Sequence, residues 1–166
     1  MAILSLPYFG FLDPESLETY YEMEVPFNGK QIQIDLNFEH GNIDIKRLET
    51  VKSFIENIRI YDLNNKGYIN NDYNDEDADT VREYIEHHLN ELGKLELAAL
   101  TEQGSKPVDY EKQLLKKLHL IRVGIYPDSE AQFAIFDYSL GTEFTNYLVV
   151  INTDENGNLD YMTMES

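Results

Sequence analysis

The stretch QIQIDLNF at residues 31–38 limits what this chain can fold into more than any other segment. Its apolar side chains alternate strictly with polar ones; they are Ile32, Ile34, Leu36 and Phe38. Successive side chains of a strand point to opposite faces, so this period of two predicts a strand with one buried and one solvated face. The turn sequence Pro26-Phe27-Asn28-Gly29 precedes it. We therefore expect a hairpin over residues 18–38.

A helical period replaces the alternation in the middle of the chain. Leu48, Val51, Ile55 and Ile58 recur at helical spacing behind Asp44, a suitable N-cap. A second apolar stripe follows Asp77 or Asp79. The pattern predicts three helices, over about residues 44–60, 77–103 and 109–118, with GSKP at 104–107 separating the last two.

The C-terminal third reads as four strands, at residues 119–127, 131–138, 146–153 and 158–165. Short turn sequences separate them, and the last turn contains Asn156-Gly157, a strong hairpin signal. Strands, then helices, then strands predict a single α+β domain over residues 1–166. We expect an antiparallel sheet built from the N-terminal hairpin and a four-strand C-terminal meander, with about three helices on one face.

Charge narrows the class of partner. The 166 residues include 31 acidic and 13 basic side chains, which give a formal net charge of −18. Such a chain repels phosphate backbones and anionic lipid, so we expect neither a nucleic-acid nor a membrane partner. There is no cysteine, which excludes disulfides and thiolate metal sites. No signal peptide or long apolar span is visible, so a cytoplasmic protein is the expectation.

Residues 62–73, DLNNKGYINNDY, imitate a calcium-binding loop. Asp62 and Asn64 occupy the first and third ligand positions, and Gly67 the sixth. However, Lys66 takes the fifth position, and Tyr73 replaces the bidentate glutamate at the twelfth. Since a cation replaces one ligand and the strongest ligand is missing, we expect no calcium binding. The sequence instead predicts a polar turn between two helices.

Other chemical motifs are weak. Glu83, His87 and Glu91 share one face of the second predicted helix at a spacing that could hold a metal, but the sequence favours an exposed Glu/His face. His88 falls on the apolar stripe and is expected to pack there. The signatures of serine hydrolases, nucleotide-binding loops and dinucleotide-binding loops do not occur. No cofactor and no catalytic residue are therefore expected.

The C-terminal strands also carry a family resemblance. The sequences at Arg122 to Pro127, Phe136 to Tyr138, Thr145 to Val150 and Met164 to Ser166 resemble the end of bacterial domain-of-unknown-function family number two-thousand-and-four. The helix sequence EYIEHHLNEL resembles the second helix of that family. The resemblance covers residues 45–166 and is strongest over residues 119–166. It implies a shared fold and no activity, because the family is uncharacterised.

Two functions remain open at this point. The two strand-bearing ends, residues 1–40 and 119–166, hold 15 acidic and 2 basic residues, so their sheet should present a negative surface. A protein-binding module for a basic partner, such as an immunity-type inhibitor, fits this charge. Strand alternation predicts the following partner-binding residues: Tyr20, Glu22, Glu24, Asp35, Phe136, Tyr138 and Asp160. The alternative is a hydrolase whose carboxylates and histidines converge only in the folded chain.

Overall fold

The computed structural model describes residues 3–102 and 107–166, with only the backbone of Pro107 and Val108. Its strands are β1 (Leu4–Leu6), β2 (Gly10–Leu12), β3 (Tyr20–Phe27), β4 (Lys30–Asn37), β5 (His119–Ile125), β6 (Ala134–Ser139), β7 (Leu148–Thr153) and β8 (Leu159–Glu165). Its helices are α1 (Ile45–Glu56), α2 (Ile58–Asn74), α3 (Thr80–Glu91), α4 (Lys94–Leu100) and α5 (Pro107–Lys117). The α+β class is confirmed.

The six long strands form one mixed sheet in the order β3-β4-β5-β6-β7-β8, while β1 and β2 form a small hairpin apart from it. Within the predicted hairpin, β3 and β4, and within the C-terminal meander, β5 to β8, neighbouring strands are antiparallel, as expected. The junction between them is parallel, with Gln33 opposite Arg122 and Leu36 opposite Ile125. The prediction of a wholly antiparallel sheet was therefore wrong. The helical segment carries the chain back to the starting end of β4 before β5 begins, which is the connection that parallel strands require.

The predicted turns at the two ends of the sheet are confirmed. Phe27 pairs with Lys30 across a two-residue loop. In that loop Asn28 has φ 50° and Gly29 has φ 79°. Positive φ at both central positions is the type I′ geometry, whose twist matches that of the flanking strands. The turn between β7 and β8 is closed by the Gly157 amide, which donates to the Asp154 carbonyl oxygen at 3.1 Å.

The first predicted helix is confirmed at its start, but α1 ends at Glu56 and Ile58 belongs to α2; the other helices are also divided differently. The Asp44 side chain accepts a hydrogen bond from the Lys46 amide at 2.8 Å and so caps α1. The segment predicted as one helix over residues 77–103 is α3 and α4, because the chain becomes extended at Leu92 before α4 begins. The described part of the chain holds five helices rather than three. The predicted end at Gln103 and most of the GSKP break lie outside the described residues.

The largest correction concerns residues 62–73, which form most of helix α2 rather than a polar turn. The buried face of α2 consists of Ile58, Asp62, Asn65 and Ile69, so the stripe has helical spacing but is half polar. The Tyr138 hydroxyl donates a hydrogen bond of 2.7 Å to Asp62, and Lys66 Nζ lies 3.4 Å from the same carboxylate. These tertiary contacts stabilise a helix that its many asparagines and its glycine disfavour.

The helices cover one face of the sheet. The side chains that point toward them alternate along each strand and are buried, among them Ile32, Ile34, Leu36, Val123, Ile125, Phe136, Tyr138, Val149 and Ile151. From α1, the Phe54 ring contacts Phe133 and Phe136 at centroid distances of 5.1 and 5.9 Å. Both ends of the chain and the helices thus contribute to one apolar cluster. None of the described helices combines the length and apolarity that crossing a membrane requires.

A single substitution distinguishes the helix from a calcium-type loop. Gly67 lies in the middle of α2, and nothing lies within 4 Å of where its β-carbon would be. We expect Gly67→Ala to raise the free energy of unfolding by about 0.5–1 kcal/mol, because alanine favours the helix and restricts the unfolded chain. Urea denaturation measures this change. A loss of stability would contradict the helix, since the loop requires glycine at this position.

Candidate functional site

The face of the sheet opposite the helices, called the open face below, carries most of the polar strand residues. Its members follow from the strand registers and are Tyr20, Glu22, Glu24, Gln33, Asp35, Asn37, Arg122, Gly124, Ile135, Asp137, Val150, Asn152, Tyr161, Thr163 and Glu165. Val150 is buried and yet does not belong to the core cluster, which confirms that it lies on this second face. The centre of the open face is therefore partly shielded by its own side chains.

An ion pair between the partly buried Arg122 and the fully buried Asp35 crosses the parallel junction of the sheet. Arg122 donates from Nε and Nη2 to the two oxygens of Asp35, at 2.7 and 3.0 Å. Asn37 and Gln33 donate to the same carboxylate at 2.7 and 3.2 Å, so that Asp35 is fully hydrogen-bonded although it is 0% exposed. Burial acts to lower the pKa of Arg122. Its hydrogen bonds to Asp35 and Tyr126 and the nearby carboxylates raise it by more, so the pKa lies above its ordinary value. The guanidinium is thus permanently charged.

A second carboxylate lies on the other side of the same guanidinium. Arg122 Nη1 donates to Asp137 at 3.3 Å, and Asp137 is only 7% exposed. Burial raises the pKa of Asp137, while Arg122 acts in the opposite direction and the Asp35 and Glu165 carboxylates raise it further. Two carboxylates share one cation, so the Asp35–Arg122–Asp137 cluster has a formal charge of −1 when both carboxylates are ionised.

Gly124 provides the space for this cluster. A β-carbon at position 124 would lie 2.6 Å from Arg122 Nη2 and 3.2 Å from Asp35 Oδ1. The glycine lies on the open face between Asp35 and Ile135, and the guanidinium occupies the space that a side chain at position 124 would fill. Any side chain here would push the guanidinium away from the carboxylate that it neutralises.

A groove begins at this cluster and runs toward the end of the sheet where β4 and β5 begin. It has a volume of about 380 Å³. We call it the Asp137 groove. It is lined by Glu24, Lys30, Gln31, Ile32, Gln33, His119, Ile121, Arg122, Asp137, Thr142 and Glu143. The groove therefore combines both signs of charge with a wall from the loop that joins β6 to β7.

That loop, residues 140–147, is attached to helix α3 through His88. His88 Nδ1 lies 2.6 Å from the Tyr84 carbonyl oxygen, which only accepts, so Nδ1 carries the proton. Nε2 then accepts from the Thr145 hydroxyl at 2.8 Å. The Tyr84 hydroxyl donates to the Tyr147 carbonyl oxygen and accepts from the Leu140 amide. Burial lowers the pKa of His88, which keeps the imidazole neutral at physiological pH.

The structure separates the seven predicted partner-binding residues into three groups. Tyr20, Glu22 and Glu24 are exposed on the open face, and Asp160 is exposed where the pairing of β7 and β8 is irregular. Asp35 is on the open face but is fully buried beneath Arg122. Phe136 and Tyr138 lie on the helix-covered face and are 0% exposed, so their prediction as surface residues was wrong.

The error at β6 is one of register by a single residue. The run FAIFDYS contains too few polar residues for alternation to reveal its faces, and a shift of one residue exchanges them. The open-face residues of β6 are Ile135 and Asp137, and sequence analysis missed the latter. A signal was present, because Asp137 is the only charged residue in the run and its neighbours Phe136 and Tyr138 must point away from it.

The weak metal candidates lie apart from one another. Asp62 is buried on α2 beneath Tyr138, while Asn64 is exposed on the same helix. Glu83 and Glu91 are exposed on α3, and the His87 ring packs 4.6 Å from Tyr147. Within residues 3–102 and 107–166, no three His, Asp or Glu side chains are grouped closely enough to hold a metal ion.

The positions of the four histidines test the hydrolase alternative, because a carboxylate/His site requires a histidine next to carboxylates. His40 is exposed next to Glu39, and His87 and His88 lie on α3. His119 is the histidine that lines the Asp137 groove, and its Nδ1 donates to the Lys117 carbonyl oxygen at 2.9 Å.

Comparisons with known proteins return no relative for this chain: no family model, curated protein or solved structure matches it.

The role of Gly124 can be tested with Gly124→Ala. The added methyl group displaces the Arg122 guanidinium and leaves Asp35 buried with only its amide partners. We expect the free energy of unfolding to fall by about 1–3 kcal/mol, the cost of an incompletely paired buried polar group. The same substitution at Gly67 is the matched control and should act with the opposite sign. Equal effects at both positions would contradict a role in forming space for the ion pair.

His88 should make stability depend on pH. Its folded-state pKa is below the unfolded value, so its contribution is complete above about pH 6.5 and is lost as the pH falls toward the folded-state pKa. We expect the free energy of unfolding to fall between pH 7 and 5, and His88→Gln to remove part of that slope. Denaturation curves across this pH range measure it. An unchanged slope in the variant would contradict a buried, neutral His88.

Proposed function

We propose that this protein binds a basic protein partner through the open face of its sheet. The proposal rests on negative charge that has no cationic partner. Glu22, Glu24 and Glu165 are exposed on this face, and within the described part of the chain none of them forms an ion pair. The cationic Arg122 on the same face is already neutralised by Asp35 and Asp137. A partner that carries arginine or lysine side chains would complement this face.

Exposed aromatic side chains flank these carboxylates. Tyr20 is 48% exposed on β3, and Tyr161 is 44% exposed on β8. These are the two edge strands of the sheet, so five inter-strand spacings, about 24 Å, separate them. The Tyr20 hydroxyl donates to Glu22 at 2.8 Å, which orients both side chains. Tyrosines at the rim of a charged surface are typical of protein interfaces, where their rings lose little entropy on binding.

The kind of partner follows from the charge and the shape of this face. A broad, negative sheet face suits a folded basic protein more than a nucleic acid, whose phosphates it would repel. An immunity-type inhibitor of a basic toxin is the specific form that we propose. The same proposal includes membership of bacterial domain-of-unknown-function family number two-thousand-and-four, which residues 119–166 resemble.

Charge reversal tests the face. The variant Glu22→Lys, Glu24→Lys, Glu165→Lys changes three exposed carboxylates, and Asp35 is left intact because reversing it would place a cation beside Arg122. We expect the association rate with the basic partner, isolated by affinity capture and identified by mass spectrometry, to fall about tenfold or more at low salt. The difference should shrink as salt rises, because screening weakens long-range attraction.

The matched control is Glu83→Lys, Glu86→Lys, Glu91→Lys, which makes the same change of charge on exposed positions of α3. This variant should keep most of the association rate. If the α3 variant weakens association more than the sheet variant does, the partner binds the helical side and the proposal fails. Equal losses would show that only net charge matters.

A further inference from the structure

The two buried carboxylates of the open face differ in how completely they are hydrogen-bonded. Asp35 accepts four hydrogen bonds, two from Arg122 and one each from Gln33 and Asn37. Asp137 accepts one, from Arg122 at 3.3 Å, although it is only 7% exposed. A carboxylate offers about four acceptor positions, and buried acceptors are normally satisfied. Asp137 therefore retains acceptor capacity that the described part of the chain does not use.

This unused capacity coincides with the groove. Asp137 lines the groove of about 380 Å³, whereas Asp35 does not. Glu24 from β3 and Glu143 from the β6–β7 loop line the same groove. A donor that enters it would meet Asp137 next to the neutralised Arg122–Asp35 pair.

The charge of the groove selects the donor. Because Asp35 balances Arg122, the remaining groove charges are Asp137, Glu24 and Glu143 against Lys30, which favours a cation. A guanidinium presents five N–H donors in a planar fork and is weakly hydrated, so one group can serve more than one carboxylate. An ammonium carries three donors and holds its water more tightly, which makes it the poorer match.

We propose that the Asp137 groove is a subsite that receives an arginine side chain of the basic partner, with Asp137 as its central acceptor and Glu24 and Glu143 beside it. This inference rests on the proposed function and adds a specific contact to it. Burial raises the pKa of Asp137, since only one cation is near to oppose it. A second cation would favour the charged carboxylate, so binding should weaken as Asp137 is protonated at acid pH.

The test is an NMR titration of the full chain with Nα-acetyl-arginine amide at low ionic strength. We expect saturable backbone amide shifts at Arg122, Asp137, Thr142 and Glu143, with millimolar affinity, and weaker binding of Nα-acetyl-lysine amide. Asp137→Asn keeps the shape and removes the charge, and should weaken arginine binding about tenfold or more. Glu86→Gln, an exposed change on α3 outside the groove and the open face, is the matched control and should leave the affinity within about twofold of wild type.

Three results would overturn the subsite. They are shifts that fail to saturate up to about 100 mM probe, equal affinities in Asp137→Asn and wild type, and shifts centred on Glu22 or Glu165. If Asp137→Asn does not fold, Glu143→Gln replaces it, since Glu143 is exposed; an unchanged arginine affinity in that variant overturns the proposal as well.

The subsite and the binding face fail in distinguishable ways. If the sheet charge-reversal variant loses the partner while the arginine probe does not bind in the groove, the face stands and the subsite fails. If the arginine probe binds at Asp137 but the partner binds the α3 side, the subsite is not part of a partner interface, and both proposals fail as stated. Binding of the probe at Asp137 together with loss of partner binding in Asp137→Asn supports both.

Discussion

The ion pair between Arg122 and Asp35 lies at the only parallel junction of the six-stranded sheet, where a hairpin from one end of the chain meets a meander from the other. The two residues are 87 positions apart in sequence and are joined by two hydrogen bonds. Removing Arg122 would leave the buried Asp35 carboxylate without its cation, and breaking a buried pair in this way typically costs about 3–5 kcal/mol. The pair therefore specifies this register, because a shift of one residue would turn Asp35 toward the apolar core.

The same pair shapes the candidate site. By neutralising Arg122, Asp35 leaves the open face with a negative balance that the exposed glutamates determine. By holding the guanidinium over Gly124, it also places Nη1 beside Asp137. The stability of the sheet and the charge of its open face are thus coupled through the Arg122 side chain. A substitution at the junction would change both the stability of the fold and the charge of the open face, whereas the exposed glutamates can be varied with little effect on the fold.

Helix α2 shows how a polar segment can be recruited into a core. Its buried stripe includes Asp62 and Asn65, which propensity alone would place in a turn. The hydroxyl of Tyr138 provides the partner that makes burial of Asp62 tolerable. Burial and the Asp62 carboxylate together raise the pKa of Tyr138, so that the hydroxyl remains a donor. A hydrogen bond between Tyr138 and Asp62 consequently joins the helix to the sheet.

The sequence by itself determined the elements whose signals are local. These are the alternating strand β4, its Asn28-Gly29 turn, the capped helix α1 and the four C-terminal strands, because side-chain period, turn chemistry and capping act within a few residues. Only the tertiary structure decided that β4 and β5 are parallel and that residues 62–73 are helical. Those features depend on contacts between residues far apart in the chain, Arg122 with Asp35 and Tyr138 with Asp62, and no local pattern encodes such partners.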